Sequence, residues 1–274
     1  NNNNNNIYLF YPDSFAMYIL IIFYFRLTKR KKVYLEKNEL EFALRLNYNS
    51  PTSFTKKFLF YILQFLFIPI SFLKDILAIF FDGIIVISSR MYKLYSSVNK
   101  NIILIPIISF EKNETSENFS NLKDKFVISY FGSISNQKDE IFNIIDMIGN
   151  NDELFKKVRL DLFGNYNNTT FKKINHLIDE FNLQNVVYLQ KSISNDKVYR
   201  KMKNSDLLIA LRPDSLQNNY GFSTKVAEYS QSMVPILLTD VSDIPFYFKN
   251  NYNSFIISKN KIDIYNIEKI FLKI

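Results

Sequence analysis

The sequence predicts an α/β protein made of two Rossmann-like, doubly wound domains with parallel sheets, the first of them incomplete. From about residue 125 onward, short apolar runs alternate with segments of helical spacing, and two of these runs end in glycine. The first 110 residues repeat the alternation over fewer strands. Strict alternation of strand and helix is typical of parallel sheets covered by helices. Both parts are therefore expected to share this architecture.

Composition supports folded domains and excludes several kinds of chemistry. The chain has 274 residues, of which 47% are hydrophobic and 22% are charged, so it can bury two cores of ordinary size. It contains no cysteine, which excludes disulfides, thiol catalysis and cysteine-ligated zinc. Its single histidine, His176, excludes a histidine metal cluster.

The net charge of +8 is placed unevenly along the chain. Residues 1–110 hold 13 Lys and Arg against 6 Asp and Glu, whereas the remainder holds 21 against 20. A basic part rich in Phe and Tyr favours an anionic membrane surface or an acidic lipid-linked substrate as partner. No nucleic-acid-binding motif is present in the sequence, so nucleic acid is not an expected partner. No secretory signal is visible either, so a cytoplasmic location is expected, with peripheral attachment to the inner face of the membrane as its extension.

The elements of the first part follow from its apolar runs. Strands are predicted at 7–11, 31–36 and 83–89, helices at 14–25 and 90–97, and a further apolar run follows at 101–107. The apolar run at 58–73 has sixteen residues and contains Pro69. A bilayer requires about 20 residues, so a buried or interfacial helix is expected there. The number of strands is small for a complete domain, so the chain is expected to lack the start of its first domain.

The second part shows the alternation more regularly. Residues 111–124 are polar and acidic, which predicts a linker between domains at 1–110 and 125–274. Strands are predicted at 125–132, 158–164, 185–190, 206–213, 234–239 and 253–258, each followed by a helical segment. In such sheets the ligand lies beyond the carboxyl ends of the strands. The expected site is therefore formed by the loops after Gly132, Gly164, Gln190 and Arg212.

The segment "GFSTKVAEY" at 221–229 predicts an anion site at the start of a helix. A helix N-terminus offers unpaired N–H groups and the positive end of the dipole, which suits a diphosphate. Lys225 lies in the first turn, where a cation opposes the dipole unless an anion is bound. Glu228 lies on the same face and can accept hydrogen bonds from ribose hydroxyls. The alternative is a capped surface helix with a Lys–Glu pair.

Several motifs occur in a characteristic order: "YFGSISNQKDEI", "LDLFGN", "DLLIALRP", "GFSTKVAEY" and "VPILLTD". Together they resemble the second domain of retaining, nucleotide-sugar-dependent glycosyltransferases of the GT-B fold, family 4 (group 1). The resemblance spans about 125–274 and extends more weakly upstream through "VYLEKNELE". It implies a hexosyltransferase that moves a sugar from a UDP- or GDP-sugar to a carbohydrate or lipid-linked acceptor with retention of configuration. It also implies transfer without a metal or other cofactor.

The resemblance assigns roles to residues. Lys138 matches the family's phosphate-binding lysine; the alternative is a solvated residue at the start of a helix. Arg212 is suited to bidentate contact with phosphate; the alternative is an ion pair with Asp214 or Glu228. Asn38 and Glu39 are the candidate catalytic residues, with a structural role at a strand end as the alternative. The expected donor-binding residues are Gly132, Ser133, Lys138, Gly164, Arg212, Ser223, Thr224, Lys225 and Glu228.

The chain also departs from the family pattern. Tyr220 stands in the place of the first of two glutamates, Ser133 where an arginine is often found, and Asn38 where many relatives have a histidine. Two alternatives to a glycosyltransferase therefore stay open. One is a degenerate GT-B protein that binds a membrane or a glycan without turnover. The other is a nucleotide-sugar epimerase of the same architecture.

Overall fold

The computed structural model describes residues 7–11, 14–28, 32–46, 54–109, 124–135 and 139–259, together with 267 and 269–271. It divides into two compact units. The first unit runs to Ile107 and includes Ser215–Phe222, and the second comprises Ile108–Asp214 and Ser223–Ile274. The sequence predicted one domain over 125–274, whereas the short segment at 215–222 groups with the first unit. Residues 111–123 of the predicted linker lie outside the described residues.

The first unit is built on a parallel sheet whose described strands run in the order β1-β2-β3-β4. Its core contains fully buried side chains from the sheet and from the helices on it, including Tyr18, Leu35, Ile84 and Met91. The elements in chain order are β1 (Ile7–Phe10), α1 (Phe15–Thr28), β2 (Lys32–Lys37), α2 (Glu41–Leu46), α3 (Phe54–Leu77), a short 3-10 helix (Ala78–Phe80), β3 (Gly83–Val86), α4 (Ser89–Ser96) and β4 (Ile102–Leu104).

A buried ion pair joins β2 to α3 in this unit. Strand β2 buries alternate residues, and Lys37 occupies the third buried position after Val33 and Leu35. Its Nζ lies 2.7 Å from Oδ1 of Asp75, and the side chains are 3% and 8% exposed. The same carboxylate oxygen accepts a hydrogen bond from the Tyr95 hydroxyl at 3.1 Å. A buried charge is tolerated only when it is paired in this way, so Asp75 connects α3 and α4 to the end of β2.

Helix α3 exposes a large apolar face. Tyr61, Phe65, Leu66 and Phe72 are all more than half exposed. The sequence left open whether this segment is buried or interfacial, and the exposure of these side chains excludes full burial in the chain itself. Among the residues that the structure describes, no helix combines the length and the apolar character needed to cross a membrane.

The second unit contains a parallel sheet of described strands in the order β10-β9-β8-β5-β6-β7. Its elements in chain order are β5 (Phe126–Phe131), α5 (Ile141–Gly149), α6 (Asp152–Lys157), β6 (Val158–Phe163), α7 (Asn168–Glu180), β7 (Val187–Gln190), α8 (Asn195–Lys203), β8 (Leu207–Ala210), α10 (Thr224–Ser230), β9 (Ile236–Thr239), α11 (Ile244–Tyr247) and β10 (Phe255–Ile257). Helix α9 (Leu216–Tyr220) lies between β8 and α10 in the chain and belongs to the first unit.

The strand order of the second unit reverses at one point. Strand β5 pairs with β6 on one side and with β8 on the other, and all these pairs are parallel. Helices reached from β5 and from β8 therefore cover opposite faces, and a crevice opens between the carboxyl ends of these two strands. The residues that follow these ends, Gly132 and Arg212, were expected in the ligand site from the sequence. The fold thus places them at the switch point.

Candidate functional site

The loops after β5 and β6 approach each other through glycines at the carboxyl edge of the sheet. Gly132 has a φ of +142°, which side chains rarely tolerate. A Cβ on Gly164 would lie 1.6 Å from the carbonyl oxygen of Gly132, so only glycine fits at that position. The N–H of Gly132 donates to the carbonyl of Phe163 at 2.9 Å. The two loops therefore meet backbone to backbone, and Ser133 next to Gly132 is exposed.

Lys225 reaches from α10 across Gly132 to a buried carboxylate. Its Nζ donates to Oδ2 of Asp139 at 2.6 Å and to the hydroxyl of Tyr130 at 2.5 Å. The Tyr130 hydroxyl lies 2.8 Å from the same oxygen of Asp139, to which it can donate. A Cβ on Gly132 would come within 2.8 Å of the Lys225 Cε, so the glycine leaves room for the lysine. Burial, followed by the charge of Asp139, raises the pKa of the neighbouring Glu140.

Two tyrosines lie beneath this edge of the sheet. Burial is the largest cause that raises the pKa values of Tyr130 and Tyr229, so both stay protonated as phenols. The Tyr229 hydroxyl donates to the carbonyl of Phe131 at 3.1 Å and accepts from its N–H at 2.8 Å. The charge of Arg212 lowers both pKa values by a smaller amount.

Arg212 is anchored by its backbone at the end of β8. Its N–H donates to Oγ1 of Thr239 at 2.9 Å, and the Thr239 hydroxyl donates to its carbonyl at 2.8 Å. Thr239 is the last residue of β9. The ends of β8 and β9 are therefore fixed to each other, and these two hydrogen bonds hold the backbone of Arg212 at the edge of the sheet.

Helix α10 begins after Ser223 without a side-chain cap. The Ser223 hydroxyl is buried and has no hydrogen-bond partner among the described residues. Thr224 in the first turn is exposed, and so is Glu228 one turn later. The side chain of Ser223 thus leaves the first N–H groups of the helix to other acceptors, and Glu228 is accessible to a ligand.

Asn38 and Glu39 follow β2 in the first unit. The side-chain amide of Asn38 donates to Oε1 of Glu36 at 2.9 Å, and its Oδ1 is buried with no partner in the described part of the chain. Gly221 lies close by, since a Cβ there would be 3.9 Å from the Asn38 carbonyl. The ring of Tyr220 packs against the core of this unit. The place that the family pattern gives to a first glutamate is therefore taken by a core-packing side chain.

The structure brings together most of the predicted donor-binding residues of the second unit. Gly132, Ser133, Gly164 and Arg212 lie at the carboxyl ends of β5, β6 and β8, and Lys225 reaches Gly132 from α10. Lys138 lies outside the described residues. Sequence reasoning missed Asp139, Tyr130 and Tyr229, although the tyrosine two residues before Gly132, near the end of a buried strand, was an available signal. In the residues covered by the structure, no group of three or more Asp, Glu or His side chains could hold a metal ion.

The described strands form parallel α/β sheets of the kind found in GT-B glycosyltransferases. The structure resembles HepE from Anabaena in complex with UDP, with a TM-score of 0.69 and 13% identity over 97% of this chain and 68% of that chain. For sucrose-phosphate synthase from Thermosynechococcus elongatus the TM-score is 0.65, with 12% identity over 97% and 62%. For the lipopolysaccharide outer core galactosyltransferase WaaB it is 0.63, with 12% identity over 97% and 66%. The chain thus spans about two thirds of the length of these proteins, and the predicted fold is confirmed.

The family is shown by sequence. The model of the family "Glycosyl transferases group 1" matches residues 111–270, more than half of the chain, and the chain belongs to that family. No curated protein sequence matches the chain. The predicted class of enzyme, a glycosyltransferase, is therefore confirmed. Assignment to family 4 and retention of configuration stay predictions.

Proposed function

We propose that the chain transfers a sugar from a UDP-sugar to a carbohydrate or lipid-linked acceptor, with retention of configuration and without a metal ion. The observation that supports this proposal most directly is that Gly132, Arg212 and the start of α10 lie at the point where the strand order of the second sheet reverses. HepE, a structural neighbour, has been crystallised with UDP and with UDP-glucose. These complexes favour UDP over GDP as the nucleotide of the donor.

The site offers what a departing nucleoside diphosphate requires. Breaking the bond between sugar and diphosphate concentrates negative charge on the phosphate oxygens, which a fixed cation stabilises. Arg212 is anchored at the end of β8 and can contact two phosphate oxygens at once. The uncapped start of α10 supplies N–H groups, and Glu228 can accept hydrogen bonds from the ribose. Asn38 and Glu39 are proposed to contact the reacting sugar or the acceptor.

The experiment is a calorimetric titration of the full chain with UDP, GDP and ADP. UDP is expected to bind, and Arg212→Gln is expected to weaken it by about 1.5–3 kcal/mol, the range for a hydrogen bond to a charged group. Arg159→Gln is the matched control, because Arg159 pairs with Asp161 within β6 at 2.7 Å. The proposal is wrong if no nucleoside diphosphate binds, or if both arginine variants have the same effect.

A second proposal concerns the first unit, which we propose docks on an anionic membrane that carries the acceptor. Helix α1 exposes Leu20 and Phe23 at helical spacing, and α3 exposes the adjacent residues Phe65 and Leu66. Exposed apolar patches of this kind mark interaction sites. The excess of 13 basic over 6 acidic residues in 1–110 fits an anionic surface rather than a neutral one. The enzyme would then work in the cytoplasm, peripherally on the inner face of the membrane.

A further inference from the structure

Lys225, Asp139 and Tyr130 form a closed set of hydrogen bonds at the candidate donor site. The lysine donates to both partners, and the tyrosine hydroxyl lies 2.8 Å from the carboxylate oxygen that the lysine contacts. The set joins α10, the end of β5 and Asp139, which lies two residues before α5. Lys225 was expected from the sequence to bind phosphate directly. The structure instead shows its ammonium group bound to a carboxylate of the chain itself.

Burial makes this pair hard to separate. The side chain of Asp139 is 1% exposed and that of Lys225 is 12% exposed. The other carboxylate oxygen of Asp139 is also buried and has no hydrogen-bond partner among the described residues. Moving the lysine to a phosphate would leave a buried carboxylate without a counter-charge, next to a second anion. Removing one partner of a buried pair is strongly unfavourable, so the pair is expected to persist when a diphosphate arrives.

The pair also links the described residues at the two ends of the loop after β5. The Lys225 chain passes over Gly132 at the start of the loop, and its ammonium group is bound to Asp139 at the end of it. The Tyr130 hydroxyl also lies 2.8 Å from the carbonyl of Ser133, inside the loop, which is an alternative acceptor for its proton. Both ends of the loop are therefore tied to α10 and β5. A diphosphate approaching Gly132 therefore meets a backbone at Gly132 and Ser133 that these contacts hold in place.

We propose that Asp139 is a positioning residue for the donor site, which fixes Lys225 across Gly132 so that the backbone of Gly132 and Ser133 is in place before the diphosphate binds. The lysine and the carboxylate neutralise each other, so the counter-charge for the diphosphate comes from Arg212 rather than from Lys225. The inference rests on the proposed function, because it assumes that a nucleoside diphosphate binds at this edge. It gives Lys225 a role in shaping the site.

The test is the affinity of the full chain for UDP in wild type, Asp139→Asn and Tyr130→Phe. Asp139→Asn is expected to weaken UDP binding by roughly tenfold to a hundredfold, the range found when a side chain that orients a metal ligand is removed. Tyr130→Phe removes one hydroxyl and keeps the packing of the ring, so it is expected to fold and to weaken UDP binding in the same direction. A phosphate-binding Lys225 predicts the opposite sign for Asp139→Asn, since that change removes the charge that holds the lysine away from the ligand.

Asp161→Asn is the matched control for the loss of a paired carboxylate. Asp161 pairs with Arg159 on β6, and its side chain is 8% exposed. This variant is expected to lower the melting temperature and to leave the affinity for UDP unchanged. A wild-type chain that binds no UDP contradicts the proposed function itself. Binding by wild type together with equal or tighter binding by Asp139→Asn or Tyr130→Phe overturns only the positioning role.

Discussion

At the scale of single residues, the role expected for Lys225 depends on which anion its ammonium group contacts. Lys225 in the first turn of a helix suggests an anion ligand, because a cation there opposes the helix dipole. The anion in the structure is Asp139, at 2.6 Å. Glu228, one turn further along α10, is exposed to solvent. It is therefore the residue of this helix whose proposed ligand contact is the simplest to isolate by mutation.

Glu228→Gln is expected to weaken the binding of UDP but not that of inorganic pyrophosphate. The carboxylate is proposed to accept hydrogen bonds from the ribose, and pyrophosphate has no ribose. The loss should be about 1.5–3 kcal/mol, the range for hydrogen bonds to a charged group. Titration calorimetry with both ligands measures it. Equal weakening of both would show that Glu228 only supports α10.

At the scale of elements, α3 has a buried ion pair near its end and an exposed apolar outer face. Its end is held to β2 through the pair of Asp75 with Lys37. Its outer face presents apolar rings, of which Phe65 is 79% exposed. A helix that is fixed on one side and apolar on the other is suited to lie on a membrane surface. The buried pair fixes the end of the helix while its outer face stays exposed.

The full chain is expected to sediment with vesicles that contain anionic lipid at low salt. Each Lys or Arg near the surface contributes about 1 kcal/mol, and salt screens this over roughly 10 Å at 0.1 M. Replacing Lys29, Arg30, Lys31 and Lys32 with glutamine should reduce the salt-sensitive part of the binding and leave UDP binding intact. Of these four, the structure describes only Lys32.

Phe65→Ser with Leu66→Ser should reduce the part of vesicle binding that persists at high salt. Phe246→Ser is the matched control, because Phe246 is 77% exposed and belongs to the second unit. The control should bind vesicles as wild type does. Docking through the first unit is refuted if no vesicle binding occurs at low salt. It is also refuted if neither the four glutamine substitutions nor the Phe65→Ser, Leu66→Ser variant changes vesicle binding.

At the scale of the whole molecule, the chain holds two cores that are built from separate sheets. The first includes Leu35 and Ile84, and the second includes Ile145 and Leu160. All the residues proposed to contact UDP lie in the second unit. A ligand that binds only the native form of one unit stabilises that unit by mass action.

Calorimetric unfolding of the full chain should therefore show two transitions, of which UDP raises only one. At a UDP concentration of 100 times Kd the gain is about 2.7 kcal/mol. Ile145→Ala and Ile84→Ala assign the transitions, because each removes a fully buried side chain from one core at a cost of about 2–5 kcal/mol. Ile145→Ala should lower the UDP-sensitive transition and Ile84→Ala the other. A UDP effect on the transition that Ile84→Ala lowers would place the ligand in the first unit.

The sequence by itself determined the alternation of strands and helices, because the spacing of apolar residues is a local property. It also placed Gly132, Gly164 and Arg212 at one edge, since the carboxyl ends of parallel strands meet there. Only the tertiary structure paired Lys225 with Asp139, which is 86 positions away. It also assigned Ser215–Phe222 to the first unit and exposed the outer face of α3. Such contacts depend on which distant side chains the fold brings within hydrogen-bond or packing distance. The spacing of apolar residues along the chain does not determine which side chains those are.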